Sequence, residues 1–113
     1  MVTPKAGAIV LVPFPFSDLS QAKLRPALVL ADAGRRDWIL CQITSNPYQD
    51  PLAISITDAD FEQGALRTAS FARPGKLFTA SSSLMIAEVG LLRRSVSTRI
   101  TQAVVDLLSA GVK

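Results

Sequence analysis

The sequence predicts a mainly β domain: a small, strongly bent antiparallel sheet or barrel with one short helix and one C-terminal helix. Three observations lead there. Short apolar runs rich in β-branched residues recur along the chain, and turn residues punctuate them. No strand is followed by the amphipathic helix that a parallel, doubly wound sheet requires. At 113 residues, 49% of them apolar and 19% charged, the chain reads as a single domain over residues 1–113 with material for a packed core, which excludes disorder.

Ala8 to Val12 is apolar throughout and reads as a strand covered on both faces, stopping at Pro13-Phe14-Pro15. The polar stretch from Phe16 to Leu24 is a loop of a length that often has a task. Ala27 to Ala31 is a second buried strand, and Asp32 to Asp37, with Gly34 inside it, turns into a third at Trp38 to Thr44. Two strands so joined form an antiparallel hairpin. A second polar loop, Ser45 to Pro51, leads to a strand at Leu52 to Ile56. Thr57 is placed to cap a helical turn over Asp58 to Gln63, ended by Gly64.

Between Ser70 and Leu92 further strands are expected, interrupted at Pro74-Gly75 and at Ser81-Ser82-Ser83. Val96, Ile100, Ala103, Val104, Leu107 and Leu108 then fall on one face of a helix capped by Ser95 or Ser97 and ended near Gly111. Five or six short strands with a closing helix make a barrel of the SH3-like kind.

Cys41 lies inside the apolar run Trp38 to Ile43 and reads as core; as the one cysteine it forms no intrachain disulfide. The chain has no histidine, which removes a histidine-paired thiol nucleophile, any histidine acid/base pair and most zinc sites. No Gly-rich phosphate loop, HExxH, CxxC or GxSxG pattern occurs, so no metal and no cofactor is expected. Met1 to Gly7 lacks the order of a secretion signal and Ala8 to Pro15 is too short to span a bilayer, so a cytoplasmic protein without a membrane partner is expected. The net charge is +3, with arginine, the residue for bidentate phosphate contacts, supplying most of the cations. This hints at a polyanionic partner. Aromatic residues make up only 6%, too few for a surface built mainly on base stacking.

The polar residues that stand out lie at strand ends. Arg25 precedes Pro26, which biases it to extended backbone where a loop enters a buried strand. There it is either a rigid cation for a phosphate or a solvent-facing side chain whose stem covers the strand. Thr44, Ser45 and Asn46 leave the third strand; they can hydrogen-bond a phosphate or base edge, or serve as turn chemistry. Arg73 and Lys76 flank Pro74-Gly75, as a second phosphate or base contact or as a charged turn. Arg93, Arg94 and Arg99 read as solvated, or at most as a diffuse RNA track.

Taken in order, the segments Gly7 to Phe16 (GAIVLVPFPF), Lys23 to Leu30 (KLRPALVL), Gln42 to Ser45 (QITS) and Arg73 to Thr79 (RPGKLFT) resemble the PemK/MazF family of toxins over almost the whole chain. The resemblance implies an SH3-like barrel with helices, a homodimer, and metal-independent cleavage of single-stranded mRNA at short sequences. It also implies inhibition by a cognate antitoxin whose acidic segment covers the RNA groove. The family's catalytic arginine and threonine fall on Arg25 and Thr44, and Ser17, Asp18, Ser20, Gln21, Lys23 and Ser45 match positions lining the RNA site. Metal-free cleavage lets the ribose 2′-hydroxyl attack its own phosphorus to give a 2′,3′-cyclic phosphate, and its main demand is stabilisation of the phosphorane charge. The loop glutamate of many members is absent before Arg25, and Gly75 stands where some carry an aspartate; Asp18 is the nearest carboxylate by position. The alternative is a non-catalytic RNA- or protein-binding module on the same fold.

Overall fold

The computed structural model describes residues 2–14 and 23–112. Seven strands form one antiparallel sheet: β1 (Ala8–Phe14), β2 (Lys23–Gly34), β3 (Asp37–Thr44), β4 (Ile54–Ile56), β5 (Phe61–Gly64), β6 (Ser70–Ser81) and β7 (Ala87–Leu92), in the order β4-β6-β3-β2-β1-β7-β5. The helix α1 (Arg94–Ala110) packs on it. Among the described residues no helix is long and apolar enough to cross a membrane.

The connectivity forces the sheet to curl. β4 and β5 are its two edges, yet Ile56 and Phe61 are joined through only the 3-10 turn Asp58–Asp60 and its flanks. Five residues reach at most about 18 Å, whereas the outer strands of a flat seven-stranded sheet would stand about 29 Å apart. The edges therefore fold toward each other, and Ile56 and Phe61 enter the same core as Ile9, Leu28, Ile43, Val96 and Ile100. The period-two alternation of strand side chains sends their neighbours Val10, Ala27, Val29 and Leu40 into a second core on the opposite face, with Val12, Ala80 and Met85. A half-barrel with both faces packed is the expected bent sheet.

Several boundaries differ from the sequence reading. β1 runs through Pro13 to Phe14, and β2 starts at Lys23 rather than Ala27, because residues 23–28 pair along β1, Pro26 opposite Leu11 and Arg25 opposite Val12. The helical turn after Thr57 ends at Asp60: its capping box forms, Thr57 N–H donating to Asp60 Oδ2 at 2.8 Å, but Phe61 is drawn into the sheet opposite Leu92. Gly64 thus ends a strand rather than a helix. Its positive φ of 74° brings it against β7, where an added Cβ would lie 2.3 Å from the Val89 carbonyl oxygen.

Helix α1 begins at Arg94, ahead of Ser95 and Ser97, and neither serine caps it. Tertiary contacts hold its start instead: Arg93 N–H donates to Asp60 O and Arg93 Nε to Ala59 O, so Arg93 is exposed, as expected, and also docked on the 3-10 turn. Val96, Ile100 and Val104 are buried as expected, whereas Leu108 is 60% exposed.

β6 runs through Pro74-Gly75 without ending, but its ladder breaks there. Register passes from Ile43 opposite Ala72 to Cys41 opposite Leu77, leaving residues 73–76 to bulge opposite Gln42. Pro74, with no N–H to give, is buried in the bulge. Arg73 holds the bulge to the loop between β3 and β4: its Nε donates to Asp50 Oδ2 at 3.0 Å, its Nη1 to Gln42 Oε1 at 3.4 Å, and its guanidinium lies 5.2 Å from the Tyr48 ring centroid. Its carbonyl accepts from the Cys41 thiol at 3.2 Å. Burial pushes that thiol up to about 12, so Cys41 is core and stays protonated at neutral pH.

Two stability tests follow from this architecture. Gly34 also has positive φ, 89°, but open space around it; Gly34→Ala carries only the left-handed penalty of about 1–2 kcal/mol, and Gly64→Ala lowers the melting temperature further through its collision with Val89. Asp50 is held below its ordinary pKa of 3.8, first by the Leu52 N–H and then by Arg73. Its contribution is present above the unfolded carboxylate range and is lost as pH falls through the lower folded value. Asp50→Asn is therefore less stable than wild type in neutral urea titrations, and the gap narrows below pH ~4.

Candidate functional site

The site grows from the end of the β2–β3 ladder. Pairing runs from Gly34 opposite Asp37 down to Ala27 opposite Gln42 and stops at Pro26, whose nitrogen has no proton to donate. Below that point β3 pairs with β6 alone, Thr44 opposite Phe71, while β2 pairs with β1. The fork opens a cleft of about 150 Å³ floored by Pro26, Ile43 and Leu66. Continuing the register two residues past Ala27 and Gln42 sets Arg25 opposite Thr44, and both line the cleft.

Thr44 is half-buried and its Oγ1 accepts the Asn46 N–H at 3.1 Å. That bond fills one lone pair and leaves the hydroxyl proton to donate. Ser45 joins the same wall, and the far wall is built by Arg67, Thr68 and Ser70, from the segment between β5 and β6 and the first residue of β6. Ser70 Oγ, itself buried, donates to the Thr68 carbonyl at 2.9 Å and fixes that corner. The lining thus carries two guanidinium groups and four hydroxyls, with no carboxylate among its described residues. Such a cleft stabilises an anion whose charge spreads over several oxygens.

The other residues singled out in the sequence lie apart from this cleft or outside the described residues. Ser17, Asp18, Ser20 and Gln21 belong to the segment not described. Lys23 is exposed on β2, opposite Phe14. Asn46 Oδ1 accepts the Tyr48 N–H at 2.9 Å, so its carbonyl is in turn chemistry. Arg73 and Lys76 sit in the β6 bulge, where both lower the pKa of Asp50. Arg67, Thr68 and Ser70 were missed: their one signal is an arginine shortly before an apolar strand, the pattern that marks Arg25, without a following proline to single it out.

Loop 45–53 is under visible strain. Tyr48 and Gln49 have φ of 54° and 57°, a conformation costing a side chain of this size about 1–2 kcal/mol. A larger groove of about 590 Å³ lies between the N-terminal segment and the first turns of α1, but its cations Lys5 and Arg94 share it with Glu62. Among the described residues, the charged groups of the fork cleft are all cationic, and those of the groove are not.

Comparison with known proteins gives the chain its family. Residues 5–108 match the family model described as PemK-like, MazF-like toxin of type II toxin–antitoxin system. The fold is that of a MazE–MazF crystal structure from Deinococcus radiodurans, at 19% identity and TM-score 0.75, covering 100% of both chains. It is equally that of MazF from the same organism, at 21% identity and TM-score 0.74, covering 96% of this chain and 99% of that one. An endoribonuclease in complex with its cognate antitoxin, from a mycobacterial species, aligns at 14% identity and TM-score 0.70 over 96% of each chain. No curated protein sequence matches significantly. With the family model spanning nearly its entire length, the chain belongs to the PemK-like, MazF-like toxins of type II toxin–antitoxin systems.

Proposed function

We propose that the chain is a metal-independent endoribonuclease that cuts single-stranded mRNA, acts as a homodimer and is held in check by a cognate antitoxin. The observation that carries this reading is the convergence of Arg25 and Thr44 on one cleft at the strand fork, with no carboxylate among its described lining residues. The naming of similar folds as endoribonucleases or as MazE–MazF complexes supports the activity and the partner.

The chemistry follows from the lining. A phosphodiester seated in the cleft places its non-bridging oxygens beside the Arg25 guanidinium and the Thr44 hydroxyl. As the 2′-hydroxyl gives up its proton and its oxygen bonds to phosphorus, the P–O5′ bond breaks and O5′ takes up a proton, so the proton count balances. The products are a 2′,3′-cyclic phosphate and a free 5′-hydroxyl. Negative charge on the phosphorane peaks between these events, where Arg25 offers a planar fork and Thr44 its hydroxyl proton. Arg67, on the facing wall, takes an adjacent phosphate and Ser45 a further oxygen. The lack of a carboxylate among the described lining residues favours charge stabilisation as the main contribution. It is also the observation that supports the second reading, a module that binds RNA or protein without cutting.

Purified protein is expected to cut single-stranded RNA in EDTA and to leave cyclic-phosphate ends. Arg25→Ala loses about 10²-fold or more in kcat with an unchanged thermal melt; undiminished cutting by that variant sinks the assignment, and absence of cyclic ends at any enzyme concentration selects the binding module. Arg67→Ala weakens substrate binding, and the slope of log Kd against log salt falls by about 0.7, the value of one lost phosphate contact on a single strand.

A further inference from the structure

Tyr48 combines three properties that its fold role does not require. It is 61% exposed, it is held at a φ of 54° that a bulky side chain seldom adopts, and the Arg73 guanidinium backs its ring at 5.2 Å. A glycine or asparagine would make the same turn at lower cost. Strain that is kept, on an exposed aromatic, points from structure toward use.

Its position supplies the use. The Tyr48 N–H is bonded to Asn46 Oδ1, and the Asn46 N–H to Thr44 Oγ1, so two hydrogen bonds tie the backbone under the ring to the hydroxyl in the cleft. Arg73 is itself anchored by Asp50, which accepts from the Leu52 N–H as well. The ring is therefore a plate set in the loop that leaves the cleft at Thr44, with a cation behind it and a face to solvent. A cation on one face draws π density from the other, and that face then attracts an electron-rich nucleobase.

We infer that Tyr48 is a stacking platform for a nucleobase flanking the scissile phosphate, with Arg73 as its positioning residue. The inference rests on the RNA-cleaving reading above and names a contact of that site. Arg73 thereby acts through the ring and not as a direct phosphate ligand. Stacking on a π-face tolerates any base, so Tyr48 contributes grip and orientation rather than sequence choice.

The test uses fluorescein-labelled, 2′-O-methylated single-stranded RNA of mixed sequence, which cannot be cut, and a matching strand with abasic sites. Tyr48→Ala and Tyr48→Gly are expected to bind the RNA about tenfold more weakly, while Tyr48→Phe and Tyr48→Trp bind as the unaltered protein does. Tyr48→Gly, freed of backbone strain, melts no lower than wild type, which separates loss of the ring from loss of the fold. The salt slope stays unchanged, because no phosphate contact is removed, and on the abasic strand all variants bind alike. Full RNA affinity in Tyr48→Ala or Tyr48→Gly overturns the inference, even if binding of an acidic peptide is lost, since the ring would then serve a protein partner. If the unaltered protein binds no RNA, the cleavage reading falls and this inference with it; if it binds and the ring proves dispensable, only the inference falls.

Discussion

Everything at the cleft depends on where one hydrogen-bond ladder ends. Strands β2 and β3 remain paired as far as Ala27 and Gln42, and the ring nitrogen of Pro26 makes the next rung impossible. A proline inside a sheet is tolerated where its missing donor faces no partner. Here that condition creates the fork, and each strand is then held by its other neighbour, β2 by β1 and β3 by β6. Arg25 and Thr44 consequently line a gap from well-anchored strand ends, the rigid placement that the proposed cleavage chemistry would require of them.

The fold was legible because its signals are local. Apolar runs marked β1, β2 and β3, and the helical periodicity of Val96, Ile100 and Val104 marked α1. Where tertiary contacts compete with local preference, the reading stopped short. Phe61 exchanged a helical turn for a place in the core, and Arg93 replaced a serine cap by docking on the 3-10 turn. The meeting of Arg25 with Thr44 came from family resemblance, and strand periodicity alone would have missed it. Counting back from the turn, where Gly34 pairs with Asp37, an unbroken ladder sets Arg25 opposite Asn46. Two irregularities in β2, between Val29 and Ala31 and between Asp32 and Gly34, each move the register by one residue and bring Thr44 into place. Bulges leave no mark in an apolar pattern, so this part of the site was invisible.

Arginine divides into two uses in this molecule. Arg25 and Arg67 line the cleft, whereas Arg73 is held by an ion pair, an amide oxygen and an aromatic ring, and Arg93 by a backbone carbonyl. Sequence shows the same residue in all four positions. Which use an arginine serves is set by the surroundings the fold gives it, and only the folded chain determines those.

The brevity of the outer strands has a meaning of its own. β4 spans Ile54–Ile56 and β5 spans Phe61–Gly64, and the curl draws the two rims toward each other. A chain that is 49% apolar with long, flat rims would offer a template for intermolecular cross-β growth. Shortened and turned inward, the rims leave little backbone for a second molecule to recruit, so a richly hydrophobic sequence can stay dispersed without a heavy surface charge.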